Sequence, residues 1–101
     1  MSEVIELARF RVRPGEEAAF IQKRPAMAAA AFRELPGLLR LELVQLDSGE
    51  WLDVVVWKSR EHAEAALARA ETIPEFGDWL AHILADTGMD HGVIHDSHSS
   101  R

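Results

Sequence analysis

The chain has 101 residues, enough for one domain with its own core, and 48% are hydrophobic against 28% charged, the balance of an ordinary globular protein. A net charge of −6 argues against nucleic acid as a partner, because neutralising phosphates takes clustered Lys and Arg and no such stripe occurs. The lack of cysteine excludes disulfide frameworks, thiolate metal sites and cysteine nucleophiles; no apolar run is long enough to span a membrane and Met1-Ser2-Glu3-Val4 is no signal peptide, so a cytoplasmic protein without a membrane partner is expected.

Residues 3–13 alternate as a strand, with Val4, Glu6, Ala8, Phe10 and Val12 on one face and Ile5, Leu7, Arg9 and Arg11 on the other. Pro14-Gly15 ends it. A helix follows from Glu16, its apolar stripe carrying Phe20, Ala28, Ala31, Phe32 and Leu35, and Pro25 inside it predicts a kink or break near residues 22–24. Pro36-Gly37 terminates that helix. Residues 38–46 predict a second strand, Leu39, Leu41 and Leu43 opposing Arg40, Glu42 and Val44, and Asp47-Ser48-Gly49-Glu50 is a hairpin signal.

The third strand, from Trp51 to Lys58, is apolar on both faces: Trp51, Asp53, Val55 and Trp57 on one, Leu52, Val54 and Val56 on the other. A strand of this kind is central and covered on both sides. Ser59 is its continuation into a helix, an N-cap followed by Glu61 in the first turn. That helix runs to about Glu71. Ile73-Pro74 breaks it, a short helix is predicted over 75–84 with Phe76, Trp79, Leu80 and Ile83 inward, and Gly88 ends that region before a last strand over 89–96. Residues 97–101 are polar and predicted to fray.

This order predicts an α+β fold of ferredoxin-like type, β-α-β-β-α-(α)-β, as a single domain over residues 1–101 with helices on one face of an antiparallel sheet. The opposite face, with Ile5, Leu7, Leu52, Val54 and Val56, is too apolar to stand in water. A second copy is the economical cover, so a homodimer is expected.

Leu7 to Gly15 with Glu17 and Phe20, then Leu35-Pro36-Gly37-Leu38, then Val56-Trp57-Lys58-Ser59 leading into an alanine-rich helix, then Trp79-Leu80 and a strand around His91, together resemble the antibiotic biosynthesis monooxygenase family. The resemblance implies a dimeric α/β barrel in which two ferredoxin-like sheets meet. It also implies a pocket between sheet and helices, lined by Trp57, where some members oxidise aromatic substrates with molecular oxygen and no cofactor. Other members degrade haem; His82 stands near that branch's histidine but off its motif, and Ala8 stands where that branch has asparagine.

Strand parity places Glu6, Asp53 and Trp57 on the helix-facing side, and His91 joins them if its strand has the same parity. Two carboxylates and an imidazole brought together would take a proton from a phenol or enol, preparing it for reaction with oxygen, so Glu6, Asp53 and His91 are the catalytic candidates. The same groups in other roles would bind a divalent metal, or Glu6 or Asp53 would simply pair with a nearby arginine. Trp57, Trp51, Phe10, Phe20, Phe76 and Trp79, with His82 as a polar group, are candidates for binding a flat hydrophobic or aromatic molecule; aromatics at such spacings also serve as plain core.

No metal is expected: His91 and His95 lie about 13 Å apart along a strand, too far to share one. The glycines are too scattered to cradle phosphate, so no nucleotide cofactor is expected either. The leading reading is a cofactor-independent monooxygenase for an aromatic or polyketide-like small molecule. A non-catalytic binding protein is the rival, favoured by the lack of Tyr and Asn, and a haem-binding or haem-degrading enzyme is third.

Overall fold

The computed structural model describes residues 2–100; Met1, and Arg101 at the end of the expected frayed tail, lie outside the described residues. The elements are β1 (Val4–Val12), α1 (Glu17–Glu34), β2 (Leu38–Gln45), β3 (Trp51–Trp57), α2 (Arg60–Ala70), α3 (Pro74–Leu80) and β4 (Ile83–Val93). The strands form one antiparallel sheet in the order β2-β3-β1-β4. This is the ferredoxin-like arrangement expected from the sequence. Among the described residues no helix is long and apolar enough to cross a membrane.

Alternation decides the faces. Val4, Phe10 and Val12 of β1 and Trp51 and Trp57 of β3 are buried in one cluster with Phe20, Met27, Ala30 and Ala31 of α1, Ala63 and Ala66 of α2 and Trp79 of α3. All three helices therefore cover the same face. The centre of this layer is aromatic: Phe20 stacks on Trp79 with centroids 4.7 Å apart and meets Trp51 edge-on at 5.4 Å, while Phe10 meets Phe20 edge-on at 5.7 Å. Each such pair adds about 0.5–1.5 kcal/mol beyond the area it buries.

On the other face Ile5 stands opposite Val56, and Leu7 opposite Val54. Val54 and Val56 are buried, yet neither belongs to the cluster under the helices. The two-sided apolar character of β3 is thus real.

Four local expectations need correction. Helix α1 runs unbroken through Pro25, because the helix packs on the sheet before and after it through Phe20, Met27, Ala30 and Ala31, and packing of that kind outweighs one lost backbone donor. In β2 a register shift between Leu38 and Arg40 sets Leu38 opposite Trp57; Leu38 is buried and Leu39 is 46% exposed, so the leucine alternation starts one residue earlier than predicted. The short helix stops at Leu80, and β4 starts at Ile83 and ends at Val93, where the sequence predicts helix to residue 84 and strand over 89–96. Gly88 accordingly lies inside β4, opposite Arg9 and beside a register shift that skips Thr87. Pairing of Val12 with Ile83 and Arg11 with Ala85 draws this segment into the sheet, a tertiary effect that overrides its mixed local pattern.

Candidate functional site

A cleft of about 500 Å³ opens between the sheet and the helices, beside Trp57. Its size is that of a small-molecule site. The floor is β-sheet, from Leu41, Val55 and Trp57; α1 contributes Met27 and Ala31, α2 contributes Ala63 and Ala66, and α3 contributes Phe76. The alanines explain the space. At those positions the helical spacing points side chains toward the sheet, and a methyl group leaves unfilled volume where Leu or Ile would close the layer. Leu67 and Leu80, 70% and 41% exposed, form its apolar rim.

A second recess of about 260 Å³ shares Glu6, Ala63 and Leu67 with the first and adds Arg60, Glu64 and His91. Glu6 is the carboxylate common to both. It is paired across the sheet with Val55 on one side and His91 on the other, and its side chain is 13% exposed against 46% for His91. His91 Nε2 stands 3.7 Å from Glu6 Oε2, an electrostatic contact too long for a hydrogen bond. The parity condition on His91 is met: it faces the helix side with Glu6.

Asp53 lines the main cleft but is committed elsewhere. Arg24 Nη1 and Nη2 donate to Asp53 Oδ2 and Oδ1 at 3.1 and 2.6 Å, a forked, charge-assisted contact that satisfies both oxygens. The Arg24 guanidinium also lies over the Trp79 ring, 4.8 Å from its centroid. The pair is largely buried, with side chains 12% and 13% exposed. Among the described residues no group of three or more His, Asp or Glu side chains is arranged to hold a metal ion.

The aromatic candidates divide. Trp57 and Phe76 line the cleft; Trp51, Phe10, Phe20 and Trp79 form the closed aromatic centre and do not line it. His82 is also absent from the lining: its Nδ1 meets Glu16 Oε1 at 2.7 Å, at the start of α1, and its Nε2 is buried without a partner. Sequence reasoning missed Arg24. The signal was present, since positions 20, 24, 27 and 31 follow one helical stripe and Arg24 is the charged member of an otherwise apolar set. It also missed Glu71, at the end of α2, and Asp86, in a segment whose place in β4 depends on the β1–β4 pairing; both lie at the cleft.

The model of the family described as antibiotic biosynthesis monooxygenase matches residues 3–81. The chain belongs to the antibiotic biosynthesis monooxygenase family. No curated protein matches it, but solved structures share the fold. One is SnoaB of Streptomyces nogalater, a cofactor-independent oxygenase, at 24% identity and a TM-score of 0.66 over 98% of this chain and 97% of that one. Another, from Chloroflexus aurantiacus J-10-fl and provisionally assigned as an antibiotic biosynthesis monooxygenase, has 23% identity and a TM-score of 0.69 over 97% and 98% of the two chains. A Nitrosomonas europaea protein of unknown function has 14% identity and a TM-score of 0.72 over 100% and 97%. At these identities the likeness carries the antibiotic biosynthesis monooxygenase fold and leaves the chemistry to the residues of the cleft.

Proposed function

We propose that this chain is a cofactor-independent monooxygenase that oxidises a flat aromatic or polyketide-like molecule held in the cleft beside Trp57. Family membership supports the reaction class. The observation that carries the site is Glu6, a mostly buried carboxylate without a hydrogen-bonded partner among the described residues, at the junction of an apolar cleft and the recess that holds His91. A carboxylate in that position can take the proton of a bound phenol or enol, a contribution worth about 10²–10⁴-fold in rate. His91, half exposed, can pass the proton on to solvent. The electron-rich anion left behind supplies all four electrons that dioxygen takes up: the substrate loses its hydroxyl proton and one ring hydrogen and gains one oxygen atom as a quinone carbonyl, while the other oxygen leaves as water. Asp53, gripped by Arg24, acts in this reading as part of the wall beside the substrate. Two copies of the chain pair across Ile5, Leu7, Leu52, Val54 and Val56, closing the barrel behind the site.

Oxygen uptake with a panel of hydroxylated polycyclic aromatics tests the reading. The expected result is uptake that depends on the protein and falls at least about 100-fold in Glu6→Gln, with incorporation of labelled oxygen into the product. Binding of the same compounds without any uptake sinks it in favour of a non-catalytic binding protein, the second reading, which the commitment of Asp53 to Arg24 and the lack of Tyr and Asn favour. A saturable Soret shift on adding haem would favour the third.

A further inference from the structure

Four carboxylate residues line the main cleft, Glu6, Asp53, Glu71 and Asp86, and the lining contains no Lys, Arg or His. For an apolar cleft this is an unbalanced charge. Asp53 is neutralised, since Arg24 spends both terminal nitrogens on its two oxygens; by the same fact Arg24 has no free fork to offer a ligand. Glu6 is not neutralised in this way. The side chains beside it that can carry positive charge, His91 with Nε2 at 3.7 Å and Arg60, line the smaller recess and not the main cleft, and the Glu6 side chain is only 13% exposed, so water screens it weakly. Glu71 and Asp86 are exposed, and solvent reduces their field, which has the same sign.

The uncommitted donor in the lining is itself neutral. Trp57 is 5% exposed and its Nε1 is buried with no hydrogen-bond partner among the described residues. An indole N–H serves a hydroxyl or carbonyl oxygen but brings no positive charge to hold an anion.

We propose, resting on the reading of this cleft as a site for a flat aromatic molecule, that it discriminates by charge: its ligand is uncharged, presents hydroxyl groups to Glu6, and is rejected when it carries a carboxylate. Proton transfer is compatible with this selection. When Glu6 takes a phenolic proton, its own charge disappears as the phenolate forms, so the net charge in the cleft is unchanged. A carboxylated ligand instead adds a second negative charge to one that is already present. At a separation of a few ångströms and an effective dielectric near that of a protein surface, this repulsion amounts to at least about a tenfold loss of affinity.

Calorimetric titration decides the matter with two probes of matched shape, a dihydroxynaphthalene and the hydroxynaphthoic acid in which a carboxylate replaces one hydroxyl, at neutral pH and at low and high salt. The expected result is binding of the diol, with the acid at least about tenfold weaker, a ratio that narrows clearly in Glu6→Gln and only slightly at high salt, because Glu6 is mostly buried. The double variant Glu71→Gln/Asp86→Asn, altered only at exposed positions, narrows it less and stands in if Glu6→Gln does not fold. Equal or tighter binding of the acid, or a ratio unmoved by salt and by both variants, overturns the proposal while leaving the cleft as a ligand site. Failure of both probes and of the polycyclic panel to bind overturns the cleft reading itself, and this selection with it.

Discussion

Arg24 of α1 grips Asp53 of β3 through both terminal nitrogens, at 3.1 and 2.6 Å, immediately before Pro25. The residue before a proline is pushed away from helical geometry by the proline ring, and here that residue is held in the helix from both sides, by the fork to Asp53 and by the Trp79 ring beneath its guanidinium. The contact thus joins the middle of the longest helix to the central strand at the place where the helix is intrinsically weakest.

Removing one partner leaves the other charge mostly buried and unpaired. Asp53→Ala and Arg24→Ala are each expected to cost about 3 kcal/mol, read as a lowered midpoint in urea unfolding, and the double variant to cost clearly less than the sum. Additive losses would mean that the two side chains act separately.

Gly37 ends the turn after α1 with φ of +83°, and a Cβ built on it would collide with the His62 ring. Gly37→Ala should therefore lose about 1 kcal/mol for the left-handed backbone and a further amount for the collision. Adding His62→Ala should restore only the second part. Thermal unfolding of the three variants separates the two contributions; full recovery in the double variant would show that the backbone cost is negligible.

Phe20 is fully buried and touches Phe10, Trp51 and Trp79. Phe20→Ala is expected to destabilise by about 3–5 kcal/mol, because the rings around it cannot collapse into the space. A loss below about 1 kcal/mol in denaturant titration would contradict the packing described.

Leu7 and Val54 stand opposite one another on the sheet face away from the helices. If a second copy covers that face, Leu7→Glu should convert a dimer into a folded monomer in sedimentation experiments, since it places two unpaired charges at the centre of the interface. A wild-type chain that sediments as a monomer, or a variant that still sediments as a dimer, would rule the interface out.

The proline at position 25 and the segment 81–88 mark where local reading stopped. Propensity describes what a segment does alone, whereas α1 is kept whole by its packing on the sheet and β4 is begun early by its pairing to β1. The leucines of β2 show the same limit on a smaller scale, since one extra residue after Leu38 reverses the facing of Leu39 and nothing local announces a bulge.

The sequence by itself determined the element order, the two-faced central strand from Trp51 to Trp57, the Ser59 cap and the common side of Glu6, Asp53 and Trp57, because period-two alternation and capping are local rules. Only the tertiary structure decided which aromatics close the core and which border the cleft, that Asp53 is bound by Arg24, and that Glu6 stands at the junction of two recesses beside His91. Those outcomes depend on which helix side chain lands on which strand residue, a relation between segments far apart in the chain that spacing along it does not encode.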